Sequence, residues 1–147
     1  MQKFEFHQKA LSLLEDSKTA LLSTLDTNGY PSMRWMSPVF IPGKPDYIYA
    51  VTSPDFPKTL HIEKNFKVEW MFQTRSLTEI LNIKGTAFLI NNPALKNEIM
   101  EIVGHRLNVF WKLKENTEYI ILETKAESYK YFIPGKGNFE YINLEGE

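Results

Sequence analysis

Thr52, Ser53, Lys58 and Thr59 fall within one stretch, residues 47–59, YIYAVTSPDFPKT. Its first half is aromatic and β-branched, the composition of a strand. Prolines then mark a turn, and Lys58 and Thr59 stand where a helix begins. A helix start presents free backbone N–H groups and the positive end of the helix dipole. Three hydroxyls and a lysine added to it make a seat for a phosphate. The plainer alternative is a simple strand-to-helix connection.

Arg34 is the second candidate. It sits between Met33 and Trp35 in an apolar run. A guanidinium grips phosphate with a fixed fork, and a lysine acts as a point charge. An arginine inside such a strand is costly unless it is paired or wet. The alternative is a solvent-facing arginine, because strict alternation puts Met33 and Trp35 together on the opposite face. Gln73 closes a later strand and can both donate and accept, as recognition of a heterocycle edge requires. Thr74, Arg75 and Ser76 beyond it read as a polar turn. The aromatics Trp35, Tyr47, Tyr49, Trp70, Phe72 and Trp111 could wall a flat ring, but strand aromatics are more often core. His7, His61 and His105 lack metal-ligand spacing and read as surface histidines. No nucleophile elbow, Walker-type loop or dinucleotide fingerprint is present.

The elements that position these residues follow from periodicity. Residues 3–18 are predicted as an amphipathic helix with a stripe of Phe4, Leu11 and Leu14, and Phe6, Ala10 and Leu13 beside it. Ala20–Leu25 is a strand, Asn28-Gly29 supplies the positive φ angles of a hairpin turn, and residues 30–40 return. Tyr47–Thr52 is the third strand and 57–65 a short helix opened by Pro57. Lys67–Gln73 and 78–90 are strands four and five, with Gly85 marking a bulge. Residues 94–103 form a helix buried through Leu95, Ile99, Ile102 and Val103. Residues 119–123 form a sixth strand, and 128–133 pairs with 138–142 around Gly135-Lys136-Gly137. The expected fold is mainly β, a six-stranded barrel with peripheral helices, because closure removes exposed edges.

The chain has 147 residues, the size of one domain spanning 1–147. Net charge is −1, which gives no electrostatic case for nucleic acid. Cysteine is absent, so disulfides and thiolate chemistry are excluded. The N-terminal segment lacks a long apolar run, so no membrane anchor is expected and the cytoplasm is the default compartment.

Three passages carry a resemblance: ALLSTLDTNGYPSMRWMSPVF (20–40), YIYAVTSPDFPKTLHIEKNFKVEWMFQ (47–73) and EILNIKGTAFLI (79–90). A fourth, YIILETKAESYKYF (119–132), matches as a last barrel strand. Their order resembles the pyridoxamine 5′-phosphate oxidase-like family, nearest its small general-stress-protein branch of flavin-binding split barrels. The resemblance implies a split β-barrel that forms a homodimer, with FMN at the subunit interface. It implies that Arg34 and Lys58 neutralise the flavin phosphate and that Thr52, Ser53 and Thr59 hydrogen-bond it. Trp35 and Met36, largely through backbone, and Gln73 would border the ring.

Two positions depart from the oxidase pattern. Val39 stands where the oxidase has a second basic residue, and Pro57 where it has an arginine. Basic residues that bind the oxidase's substrate near the C-terminus have no counterpart, so pyridoxamine phosphate oxidation is not expected. The expectation is an FMN-binding, oxidoreductase-like protein with no catalytic acid or base indicated. The alternatives are a related barrel holding deazaflavin or haem, and a non-catalytic flavin-binding or stress-response protein.

Overall fold

Helix α1 (Lys3–Ser17) begins where Glu5 accepts a hydrogen bond from the Gln2 backbone N–H at 2.9 Å, satisfying one free donor. It ends at Lys18, which takes a left-handed conformation and donates to the Leu14 carbonyl. The buried stripe is Phe6, Ala10 and Leu13. The expected stripe is displaced: Phe4 and Leu11 are exposed. A computed structural model describes residues 1–52, 61–62, 65–111 and 119–144 of the chain, the side chains of 104–111 excepted.

The strands are β1 (Ala20–Leu25), β2 (Pro31–Met36), β3 (Tyr47–Thr52), β4 (Lys67–Gln73), β5 (Ile80–Ile90), β6 (Ile120–Phe132) and β7 (Phe139–Asn143). Helix α2 (Pro93–Trp111) lies between β5 and β6 and runs past its expected end. All pairings are antiparallel, in the order β2-β1-β4-β5-β6-β3, with β7 also on β6. The family-type split barrel is thus recovered, but no full ladder joins β2 to β3. Among the described residues a single bridge, Val39 to Tyr49, ties the chain beyond β2 to β3 through bonds of 2.7 and 3.0 Å.

Three local expectations are corrected. Only Gly29 of the first hairpin has positive φ; Asp26 caps the turn by accepting the backbone N–H groups of Asn28 and Tyr30. The return strand stops at Met36, before Ser37-Pro38. The segments 119–123 and 128–133 belong to one 13-residue strand, β6, because β5 pairs along its length. The register shifts between Lys84 and Gly85, confirming the bulge.

Two apolar clusters organise the molecule. One row crosses the inner face of the sheet through Arg34, Leu22, Trp70, Ile83 and Tyr129. Its last four members are buried and pack with Phe6, Ala10 and Leu13 of α1. Phe6 stacks on Tyr129 at 5.6 Å, and the buried Trp70 indole donates to Thr124 at 3.0 Å. The second cluster lies on the opposite face of β3 and β6, where Tyr49, Val51 and Ile121 meet Val39, Ile99 and Val103. Ile102, expected on the buried side of α2, is instead exposed.

Candidate functional site

β2 alternates with its polar side inward. Met33 and Trp35 are 65% and 60% exposed, whereas Met36 is buried and Arg34 half-buried. The solvent-face alternative for Arg34 is therefore overturned. Arg34 ends the inner row beside buried Leu22. Its Nη1 donates to the Leu22 carbonyl at 3.2 Å and its Nη2 to the Ser32 hydroxyl at 2.9 Å. No carboxylate pairs with it among the described residues. Burial pushes its pKa down, yet a guanidinium stays charged under ordinary conditions. With no counter-ion among the described residues, this partly desolvated cation favours an anionic partner.

Thr52 ends β3 on the inward face shared with Ile48 and Ala50. It is fully buried, and its hydroxyl has no hydrogen-bond partner among the described residues. The Val39–Tyr49 bridge brings its strand beside the chain that follows Met36. Gln73 is 5% exposed, and its side-chain oxygen is likewise unpartnered. By alternation Gln73 falls on the outer face with Met71 and Trp35, opposite Arg34 and Thr52. One chain therefore divides these residues between two faces near the C-terminal end of β2. Ser53, Lys58 and Thr59 lie outside the described residues.

Sequence reading missed Ser32, which bonds Arg34, and two polar residues linked to Ser32's position, Thr24 and His61. Ser32 shares its face two residues earlier, a period-two signal present in the sequence. Thr24 pairs with Ser32 across the β1–β2 ladder and is buried. His61, expected on the surface, is half-buried with its Nδ1 3.0 Å from the Thr24 hydroxyl. No local signal joins Thr24 to His61, because only the tertiary fold brings these distant positions together.

The aromatic candidates resolve mostly as core. Tyr49, Trp70 and Phe72 are fully buried; Trp35 alone of the strand set is largely exposed, and the Trp111 side chain lies outside the description. Thr74 anchors the polar turn as expected: its hydroxyl accepts from the Thr78 backbone N–H, and Leu77 takes a positive φ. Val39 is 3% exposed and packs under α2, so an apolar core contact occupies the position of the oxidase's second cation. Among the described residues no helix is long and apolar enough to cross a membrane.

The arrangement can bind an anion on the inner face and presents hydrogen-bonding groups on both faces of the sheet. A comparison with curated proteins finds no match. Among solved structures, a Clostridium acetobutylicum protein related to general stress protein 26 of Bacillus subtilis is 20% identical. It has a TM-score of 0.78, with 99% of this chain and 98% of that one covered. General stress protein 26 of Bacillus anthracis is also 20% identical, with a TM-score of 0.72 and coverage of 95% and 99%. A haem-binding protein of Mycobacterium smegmatis shares the fold at 11% identity and a TM-score of 0.72, over 95% of this chain and 58% of that one. The family pattern described as pyridoxamine 5′-phosphate oxidase matches residues 6–132, and with the split-barrel topology this shows that the chain belongs to that family.

Proposed function

We propose that this protein binds FMN at the interface of a homodimer and serves oxidoreductase-like chemistry. The observation that carries the reading is Arg34, half-buried without a carboxylate partner among the described residues. A phosphate monoester would balance that charge through charge-assisted hydrogen bonds. The unpartnered Thr52 hydroxyl and Gln73 oxygen are further groups that a polar ligand would satisfy. Lys58, Thr59 and Ser53 would join Arg34 at the phosphate, and Trp35, Met36 and Gln73 would border the ring. A bound flavin supplies hydride or single-electron transfer; the protein supplies orientation and charge.

Support for the dimer comes from the outer face of β2, β1 and β4. Trp35 and Met33 are exposed there, beside half-buried Leu21 and Met71. Gln73 lies on this same face, while Arg34 lies on the other. A second copy packed on this face would cover the apolar side chains and place its own groups at the β2 edge. Both ligand-facing sets would then meet across the interface.

The visible spectrum of freshly purified protein, followed by an FMN fluorescence titration, tests the reading. A flavin spectrum or tight FMN binding is expected. Colourless protein with no FMN affinity overturns it. A second reading, haem in the same barrel, draws support from the fold shared with the haem-binding Mycobacterium smegmatis protein. A haem absorbance band in place of a flavin spectrum would select it. Flavin binding without turnover of any reductant would indicate a sensor or carrier.

A further inference from the structure

We infer that Ser32 is a phosphate-positioning residue that acts through Arg34. The inference rests on the flavin reading above and names a determinant within the same site. A guanidinium carries five N–H donors in a rigid plane. One is used on the Leu22 carbonyl and one on the Ser32 hydroxyl. These two anchors belong to different strands, β1 and β2, and lie on different terminal nitrogens. They fix the plane of the fork as well as its position. The other three donors have no partner among the described residues and remain for a ligand.

The anchors also set a direction. Ser32 precedes Arg34 on the same face, so its hydroxyl draws the guanidinium back along β2. Thr24, directly across the ladder from Ser32, is in turn joined to His61. His61 lies three positions after Lys58 in the chain. Arg34 is therefore aimed toward the polar row Ser32–Thr24–His61 and away from the apolar Met36 end of β2. An anion held by Arg34 belongs on that side. Without Ser32 the charge remains, but a flexible side chain must be ordered at the moment of binding, which weakens affinity for the anionic part of the ligand alone.

The test compares wild type, Ser32→Ala and Ser32→Thr by fluorescence titration with FMN and with riboflavin, which lacks the phosphate. A parallel arm measures the thermal midpoint with and without inorganic phosphate. The expected result is a roughly tenfold loss of FMN affinity in Ser32→Ala, unchanged riboflavin affinity, and recovery in Ser32→Thr. Equal FMN affinity in wild type and Ser32→Ala overturns the inference while leaving the flavin reading intact. A parallel loss for FMN and riboflavin also overturns it, because that pattern marks a general structural effect. If wild type binds neither flavin, the flavin reading falls. The phosphate arm then decides: a Ser32-dependent stabilisation by phosphate upholds anion positioning, and its absence overturns this too.

Discussion

The two outer faces of the sheet are treated differently. Over β3 and β6, α2 covers Tyr49, Val51 and Ile121, and Ile99 and Val103 are buried against them. Over β2, β1 and β4, Trp35 and Met33 stand exposed, with Leu21 and Met71 half-buried beside them. Both faces carry large apolar side chains, but among the described residues only the β3–β6 face is covered by a helix. The covered face contributes to the stability of the monomer. The bare face is available for association, and large exposed apolar side chains grouped on one sheet face are the usual mark of an interaction surface.

Ile99→Ala should break the covered side most severely. Its side chain, carried by α2, is fully buried against β3 and β6, and truncation there costs about 2–5 kcal/mol, read as a lower urea midpoint. If the loss is below about 1 kcal/mol, α2 is not a stabilising cover. Gly85→Ala comes next, in β5, the long strand between β4 and β6. A Cβ there would run into the Lys125 carbonyl oxygen and Thr124 Cγ2, so the bulge must shift. Overpacking of this kind costs about 1–3 kcal/mol, measurable by the same denaturation.

The bare face sharpens the comparison by responding in a different quantity. A combined Met33→Ser and Trp35→Ser change should leave monomer stability within about 0.5 kcal/mol per site, because both side chains are largely exposed. Sedimentation should nevertheless show the proposed dimer reduced to monomer. An unchanged dimer would place the interface elsewhere.

The smallest effect concerns the tie between α1 and the sheet. Glu79 accepts hydrogen bonds from Lys9 at 2.8 Å and Tyr131 at 2.7 Å. Lys9 first, and Tyr131 second, hold its pKa below the ordinary value. Its folded pKa therefore lies below its unfolded one. The stabilisation is present above the unfolded value and is lost as pH falls through the folded value. The contribution should be under about 1 kcal/mol, since both charged partners reach solvent and are screened. Glu79→Gln should flatten this part of the acid limb in a stability-versus-pH series. An identical limb in the variant would show that the pair contributes nothing.

Much of the fold was legible because strands announce themselves locally. β3 and β4 stand where aromatic and β-branched runs meet turn residues, and β1 is an apolar run that ends at the Asn28-Gly29 turn. β6 was harder, since Thr124 to Glu127 reads as polar punctuation. In the sheet Thr124 bonds buried Trp70, while Ala126 lies against the core opposite Gly85. Polarity there reflects an internal hydrogen bond and an outward face, not a turn. Of the site, Arg34 was legible by type, and Ser32 by its spacing from Arg34. Thr24 and His61 were not, because nothing local links two positions joined only by folding.

Sequence alone determined the periods: which residues alternate, where turns interrupt them, and that Arg34 opposes Met33 and Trp35. These are properties of a short backbone repeat and need no distant partner. The tertiary structure decided which side of each period faces inward. Alternation is symmetric, and only packing breaks the symmetry: α1 fills one face of the sheet and α2 covers the back of β3 and β6. Among the described residues the back of β2 receives no such cover; its arginine faces inward and its tryptophan outward.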